Sequence, residues 1–263
     1  MKLEMGITLV LALMITIVTR KKNALTWAAV LTADAMLIFI TYMCGLLPSI
    51  ALLGMYLTVF LVDLLFGKKR ECITKEVYGK SSTRGIYQVL ANGAAGCICI
   101  FLYHFTKSNA WMVAYYASIF EVMADSIASD IGVLSKKPPR DICTWKEIPR
   151  GISGGVSALG MMASALACVI GGGIIGVSAE MKAVDIMIVI IVPFMGMIID
   201  SVIGSKMQVK FICRVCGIST EQKTHCGKDT RQTGGWLRMC NGTVNFICTI
   251  VTAILGYILG VIA

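Results

Sequence analysis

Three carboxylates stand within one otherwise apolar stretch of the sequence, at Glu121, Asp125 and Asp130. Glu121, Asp125 and Ser129 are spaced four residues apart, so they share one face if the stretch is helical. A carboxylate inside a membrane-spanning helix is costly, and it usually faces a protein interior or a water-filled cavity. Polar packing between helices is the alternative, but a stripe of this length favours a cavity.

Further polar residues lie near the ends of other apolar stretches. Asp63 and Asp200 each precede a basic loop by a few residues, and Asn92 and Asn245 lie a few residues inside the stretches that follow such loops. At about 1.5 Å per helical residue, each lies within a turn or two of the membrane interface. We therefore expect these four side chains to line the same polar site as the acids.

A segment rich in glycine and serine, Gly151–Ser157, follows a basic stretch and precedes a long apolar run. We interpret it as the amino terminus of a helix, where unpaired N–H groups bind anions. Close helix packing through the glycines is the alternative, but it does not explain the basic residues. The predicted phosphate-binding residues are Lys137, Arg140, Arg150, Gly151, Ser153, Gly154, Gly155 and Ser157.

Carboxylates beside an anion-binding segment are suited to Mg²⁺, which favours one or two carboxylates together with substrate phosphates. We predict Asp125 and Asp200 as ligands of Mg²⁺ and expect Asp125, Asp130 and Asp200 to be the catalytic residues. In-line phosphoryl transfer requires this kind of positioning and charge neutralisation.

A second cluster of chemistry-bearing residues occurs near the carboxyl terminus. Cys213 and Cys216 are followed by His225 and Cys226, a spacing compatible with tetrahedral Zn²⁺. Either His225 or Cys240 completes four ligands, and a set of reduced thiols without metal is the alternative. The chain has 11 cysteines, an odd number, and several fall in loops assigned to the cytosol, so we expect free thiols.

The elements that position these residues are membrane helices. The 263-residue chain is 57% hydrophobic and 15% charged, with a mean hydropathy of +0.79, which excludes a soluble globular domain. Eight stretches approach the length needed to span a bilayer. They are Met5–Thr19, Ala24–Tyr42, Leu46–Phe66, Ile86–Phe105, Trp111–Leu134, Gly151–Ile175, Val184–Ile203 and Thr243–Ile262.

The first stretch is short enough for a signal peptide. It lacks a small-residue cleavage site and is followed at once by Arg20, Lys21 and Lys22, which favours a retained helix.

Basic residues alternate between the predicted loops. The loops after helices one, three, five and seven hold 3, 6, 5 and 7 Lys and Arg residues, which is 21 of 24. Cytosolic loops carry this excess, so we predict an all-α, polytopic transmembrane bundle with both termini outside. It forms one integral membrane domain, residues 1–263, with a cytosolic Cys-rich insertion at 204–242. The net charge of +9 follows from topology and requires no nucleic acid.

Several motifs together resemble a known membrane family. The strings QVLANG, ADSIASDIGVLSKKPPR, PRGISGGVS and IDSVIGS occur in order, followed by VCGISTEQKTHCG and TVNF. They resemble the polytopic family called domain of unknown function 92, which includes the plant phytyl-phosphate kinase and the animal transmembrane protein 19. The spacing Asp125-x2-Ala128-x3-Gly132 is also similar to CTP-dependent dolichol and phytol kinases and to CDP-diacylglycerol synthases.

The chain departs from the family pattern at three positions. Ile127 stands where the pattern has Trp, Asp130 stands where it has Glu, and Gly242 stands where an Asp is usual. If that missing carboxylate binds metal in relatives, this chain is slower, recruits a neighbour such as Asp229, or has lost activity.

The resemblance implies a membrane-embedded, Mg²⁺-dependent kinase of an isoprenyl monophosphate that uses a nucleoside triphosphate such as CTP. Its expected partners are the lipid phosphate and the nucleotide, and its expected location is a prokaryotic plasma membrane. A transporter or flippase of a phosphorylated lipid is one alternative, and it requires a polar path to the outer face. A non-catalytic membrane scaffold is the other alternative.

Overall fold

The computed structural model describes residues 2–78 and 83–263, which contain eight long helices. The helices are α1 (Lys2–Lys21), α2 (Trp27–Cys44), α3 (Leu46–Tyr78), α4 (Ile86–Thr106), α5 (Asn109–Gly132), α6 (Ala158–Ser178), α7 (Ala183–Lys206) and α8 (Asn241–Ile262). Among the described residues, seven of them, all except α5, are long and apolar enough to cross a membrane. The predicted polytopic helix bundle is therefore confirmed.

Helix α5 differs because it carries the three carboxylates and lies at the centre of the bundle. Every residue from Val113 to Ala124 is buried, and the helix packs against α3, α4, α6, α7 and α8. The surrounding helices instead expose large apolar side chains. Neighbouring helices therefore shield the polar helix from lipid, as the cost of a charged group in hydrocarbon requires.

The connections after α1, α3, α5 and α7 lie at one end of the bundle, here called the basic face. The amide of Thr26 donates to the carbonyl of Arg84 at 3.1 Å, which joins the first connection to the third. The hydroxyl of Thr220 donates to the carbonyl of Val77 at 2.5 Å, and Gly154 packs against the end of α7. The predicted alternation matches this arrangement, and the cytosolic orientation of the basic face stays a prediction.

Two helix boundaries differ from the prediction by more than one helical turn. Helix α3 continues 12 residues beyond Phe66, because the polar segment that follows the apolar stretch is rich in good helix formers. Helix α6 begins at Ala158 and not at Gly151, and Ser157 caps it by accepting a hydrogen bond from the amide of Gly160 at 3.2 Å. The glycine segment therefore precedes the helix as a loop.

Short strands organise the connections on the basic face. In the connection between α5 and α6, β1 (Arg140–Asp141) pairs antiparallel with β2 (Gly155–Val156). The α7–α8 connection holds a three-stranded antiparallel sheet in the order β4-β3-β7 and a separate hairpin of β5 and β6. These strands are β3 (Lys210–Ile212), β4 (Ser219–Thr220), β5 (Thr224–His225), β6 (Lys228–Asp229) and β7 (Arg231–Gly234).

Candidate functional site

A polar cavity of about 270 Å³ lies where the helices meet the connections of the basic face. The charged residues that line it are Arg70, Arg84, Asp125, Asp130 and Asp200. Among the predicted site residues, the structure also brings to it Asn92, Ser129, Gly151, Ser153, Gly154, Gly155, Ser157 and Asn245. Residues from distant parts of the sequence therefore converge on one site.

The carboxylates reach the cavity from two neighbouring helices. Asp125 and Asp130 lie on α5 and Asp200 lies on α7, and the charge of Asp125 interacts with both of the others. Oδ2 of Asp200 and Oδ1 of Asn245 are buried and find no hydrogen-bond partner within the described residues. Since buried polar atoms are normally paired, these oxygens indicate that a ligand completes the site.

The donor set fits Mg²⁺. The carboxylates of Asp125 and Asp200 and the amide oxygen of Asn245 are hard oxygen ligands, which Mg²⁺ prefers. Asn245 also donates from Nδ2 to Oδ1 of Asn92 at 3.4 Å, which leaves its own oxygen available. Two carboxylates with room for a phosphate beside them match the coordination that Mg²⁺ adopts in nucleotide-dependent enzymes.

Arg70 is the central cation of the site, and the sequence analysis did not identify it. Its guanidinium contacts Asp130 and, at 2.6 Å, Oδ1 of Asp63, so one arginine bridges α3 and α5. Asp63 lies outside the residues that line the polar cavity, while Arg84 lines the cavity from the residues before α4. The seven-residue spacing of Asp63 and Arg70 was the available signal, because it places both on one face of a continued helix.

The basic residues predicted to bind phosphate lie elsewhere. Arg150 donates to the carbonyl of Ser135 at 2.8 Å, so it braces the connection between α5 and α6. Arg140 is exposed and faces Glu147 at 3.9 Å, and Lys137 is exposed on the same connection. None of these three cations lines the polar cavity in the described chain. The cations that line the cavity are instead Arg70 and Arg84.

The glycine loop, Gly151–Gly155, forms one wall of the cavity. Gly151 and Gly154 have φ values of +90° and +85°, which L side chains rarely adopt. A Cβ at Gly154 would lie 2.5 Å from Cα of Ser205, so only glycine lets the loop approach α7. The segment is therefore a loop at the cavity wall and not a helix terminus, and the amides of Ile152, Ser153 and Gly155 already donate hydrogen bonds within the protein.

Two acidic residues, neither of them predicted from the sequence, hold the glycine loop and the strand beside it. Glu221 accepts hydrogen bonds from the amide of Ser153 and from Nε2 of Gln208, each at 2.8 Å. Asp141 accepts from the hydroxyl of Ser205 at 2.7 Å. Burial opposes ionisation of Asp141, but hydrogen bonds from Ser205 and the following turn outweigh it and lower the pKa of this carboxyl group. Glu221 thus holds the glycine loop, and Asp141 ties β1, which pairs with β2, to α7.

Glu121 lies deeper in the bundle than the cavity. Its side chain is 1% exposed, and its carboxylate comes within 4.8 Å of a carboxylate oxygen of Asp200 and of the thiol of Cys248. A Cβ at Gly196 would lie 2.6 Å from Cγ of Glu121, so α7 covers this acid closely. The polar stripe of α5 thus ends at Glu121.

An apolar groove of about 110 Å³ adjoins the polar cavity. The two share Arg84, Gln88, Asn92 and Ser126, and the groove continues between α1, α2, α3 and α4. Apolar side chains dominate it: Ile15, Leu25, Leu37, Leu52, Leu53, Met55, Val59 and Val89. The two cavities thus place charged side chains directly beside aliphatic ones.

Other predicted residues cluster apart from the cavity or lie alone. Cys213, Cys216, His225 and Cys226 meet in the α7–α8 connection, and Cys240 is not part of that cluster. Asp229, considered as a substitute for the missing acid, is exposed on β6 and does not line the cavity. None of the 11 cysteines forms a disulfide in the structure.

A helix bundle whose buried acids open into a charged cavity at one end defines a polytopic integral membrane protein with a polar cavity. The chain belongs to the family described as Integral membrane protein DUF92, whose profile matches residues 10–253. The family indicated by the sequence motifs is therefore confirmed.

Similar proteins occur in an archaeon and in a plant. The chain is 28% identical over 206 residues to the uncharacterized membrane protein MJ0933 of Methanocaldococcus jannaschii, covering 77% of this chain and 81% of that protein. It is 30% identical over 93 residues to protein VTE6, chloroplastic, of Arabidopsis thaliana, covering 34% and 28%. It is 28% identical over 142 residues to protein PGR of the same plant, covering 50% and 48%. No solved structure matches the chain significantly.

Proposed function

We propose that this protein is a Mg²⁺-dependent phosphotransferase that moves the terminal phosphoryl group of a nucleoside triphosphate, such as CTP, to an isoprenyl monophosphate. The observation that carries the proposal is the junction of a cavity lined by carboxylates and arginines with an apolar groove between membrane helices. The relationship to the plant protein VTE6 and the resemblance to phytyl-phosphate kinase support it. Its proposed location is a prokaryotic plasma membrane.

The carboxylates and the arginines of the cavity have different roles in the proposed phosphoryl transfer. Asp125 and Asp200 hold Mg²⁺, which when bound neutralises charge on the nucleotide phosphates. Arg70 and Arg84 bind phosphate oxygens, and the glycine loop closes the cavity beside them. Asp130 orients Arg70 through their ion pair. The arrangement provides positioning and charge stabilisation, which is what this reaction demands of a protein.

The acceptor needs no general base. A phosphate monoester has a second pKa of about 6, so its terminal oxygen is already largely ionised near neutral pH. That oxygen forms a bond to the γ-phosphorus as the bond to the β-phosphate oxygen breaks, and the products are an isoprenyl diphosphate and a nucleoside diphosphate. All three cavity carboxylates are therefore available to bind metal and to orient cations.

The apolar groove provides the place for the isoprenyl tail. It is lined mainly by aliphatic side chains, and it reaches the polar cavity at Arg84 and Asn92. A tail in this groove stays in an apolar medium while the phosphate reaches the arginines. A soluble phosphate acceptor has no hydrocarbon tail and would leave this groove empty.

The structure does not favour a transporter. A transport path would continue from the cavity toward the opposite face, but the polar stripe ends at the buried Glu121. Beyond it, Ser118 donates to the carbonyl of Tyr115, and Tyr115 and Tyr116 are fully packed. A closed apolar segment thus separates the cavity from the other end of the bundle.

The direct test is an activity panel on the purified protein in detergent or nanodiscs. The protein is incubated with Mg²⁺, each nucleoside triphosphate in turn and prenyl monophosphates of increasing length, and products are resolved by mass spectrometry. We expect a prenyl diphosphate with at least one combination. Protein that binds the lipid phosphate but forms no diphosphate with any donor would contradict the proposal.

A further inference from the structure

The α7–α8 connection brings three cysteines and one histidine to a single point, here called the cysteine–histidine cluster: Cys213, Cys216, His225 and Cys226. One ligand atom from each lies within 4.8 Å of all the others. The sulfurs of Cys216 and Cys226 are 3.8 Å apart, and Nδ1 of His225 lies 3.5 Å and 3.3 Å from these two sulfurs.

These separations fit one tetrahedral Zn²⁺. With Zn–S bonds of about 2.3 Å and a Zn–N bond of about 2.0–2.1 Å, a regular tetrahedron places sulfurs about 3.8 Å apart and nitrogen about 3.5 Å from sulfur. A disulfide requires sulfurs at about 2.05 Å, so Cys216 and Cys226 are not bonded to each other. The cluster therefore has the dimensions of a metal site.

The backbone explains how adjacent ligands share one ion. Cys226 has a φ of +51° and Gly227 a φ of +72°, which form the tight turn of the β5–β6 hairpin. This turn aims the side chains of both His225 and Cys226 at the cluster centre. Because Cys226 adopts the left-handed conformation, the adjacent side chains of His225 and Cys226 can reach the same ion without a steric clash.

The first cysteine pair sits on a matching turn. The amide of Val215 donates to Sγ of Cys213 at 3.3 Å, and the amide of Gly217 donates to the carbonyl of Cys213 at 3.0 Å. Gly217 has a φ of +72°, which completes the turn. Hydrogen bonds from the backbone to sulfur are the outer-shell support that orients metal ligands.

We propose that the cysteine–histidine cluster binds one structural Zn²⁺, with four protein ligands and no open coordination position. The ion would fix the connection that places Thr220 on the carbonyl of Val77 and Glu221 on the amide of Ser153. Zinc thereby secures the end of α3 and the glycine loop, which are two walls of the polar cavity. The site stands independently of the proposed phosphotransferase activity, because it rests on the cluster geometry alone.

The first test measures metal in the full chain, purified without chelators, by mass spectrometry. We expect about one equivalent of zinc, and we expect Co²⁺ substitution to give the absorption of a tetrahedral thiolate site. Cys216→Ser should lose most of this metal, whereas Cys240→Ser, in the same connection but outside the cluster, should retain it. Wild-type protein that carries no zinc and gives no cobalt spectrum would overturn the proposal, even if Cys216→Ser failed to fold.

The second test concerns the role of the ion. Removing zinc with a chelator should increase tryptic cleavage at Lys146 and Arg150, because Glu221 no longer holds the adjoining loop. Glu221→Ala should reproduce this cleavage while keeping its zinc, and cleavage at Lys182, at the opposite end of the bundle, should not change. Equal cleavage of loaded and stripped protein would show that the metal does not support the cavity wall.

Discussion

The cysteine–histidine cluster takes all its side chains from residues 213–226, whereas the polar cavity takes its charged side chains from α3, α5, α7 and the residues before α4. In the local cluster, spacing along the chain and the turn residues together determine geometry. In the cavity, spacing along the chain predicts which side chains lie together only within one helix. Side chains from different helices are brought together by helix packing. For the cavity, the presence of a charged residue within a membrane span is therefore a stronger indication of a site than the spacing between residues.

The two regions also differ in how they satisfy charge. The cavity contains Arg70, which pairs with Asp63 and Asp130, beside acids that keep unpaired buried oxygens. The cysteine–histidine cluster has two exposed members, Cys216 and Cys226, and one buried member, Cys213, so its geometry depends less on burial than that of the cavity. Changes in the cavity should therefore alter chemistry, and changes in the connection should first alter metal content.

The largest expected effect tests whether phosphate is bound by the arginine in the cavity or by the basic residues of the α5–α6 connection. Arg70→Ala should reduce turnover by about 10³-fold or more, since an arginine on transferring phosphate contributes about 10³ to 10⁵. Arg70→Lys should recover only part of it, because an ammonium lacks the planar fork through which the guanidinium contacts both carboxylates. Steady-state rates and melting temperatures of each variant provide the measurement.

The matched control for Arg70 is Arg140→Ala on the exposed connection, which should stay within about twofold of wild type. If Arg140→Ala lost as much activity as Arg70→Ala, the phosphate site would lie at the basic connection and not in the cavity.

A smaller effect concerns the glycine loop. Gly154→Ala should destabilise the protein by about 1–3 kcal/mol, because its Cβ would meet Ser205 at a positive φ. The melting temperature should fall by about 2–4 °C per kcal/mol. Gly173→Ala, with nothing within 4 Å of the new Cβ, should match or exceed wild-type stability. A wild-type melting temperature for Gly154→Ala would refute the packing role.

The smallest expected effect comes from Gly242→Asp, which introduces the acid that the family resemblance implies at this position. A Cβ at Gly242 has nothing within 4 Å, and this residue lies in the first turn of α8, beside the cavity residue Asn241. Gly242→Asp should add a few tenths of a kcal/mol of stability through the helix dipole, and it should lower the Mg²⁺ concentration that gives half-maximal rate. Titration of activity with Mg²⁺ measures this, with Gly242→Asn as the uncharged control. An unchanged Mg²⁺ requirement would place the missing acid outside the metal site.

Much of the architecture could be predicted from the sequence, for identifiable reasons. Apolar length indicates the helices, and the alternation of basic loops indicates which connections share a face. Asp125 and Asp200 could be singled out because charged residues within membrane spans are rare. These signals need no knowledge of how the helices pack.

The other features of the site were not predicted, because they depend on helix packing or because local sequence patterns favour two different structures. Arg70 was missed because the apolar stretch ends at Phe66, whereas helix α3 continues to Tyr78, and the spacing of Asp63 and Arg70 becomes informative only on the longer helix. The glycine segment fits both a helix terminus and a loop, and its contact with Ser205 decides between them. Glu221 acts on Ser153 across 68 residues of sequence, which no local pattern reports.

The central claim is that Asp125 holds the metal that supports phosphoryl transfer in the polar cavity. The most direct measurement follows transfer of labelled γ-phosphate from a nucleoside triphosphate to a prenyl monophosphate by wild-type protein and by Asp125→Asn, which keeps the shape but removes the charge. The account predicts labelled diphosphate from the wild type and a rate lower by about 10²-fold or more from the variant, with an unchanged melting temperature, since losing metal charge stabilisation costs several kcal/mol. Equal rates from the two proteins would contradict it.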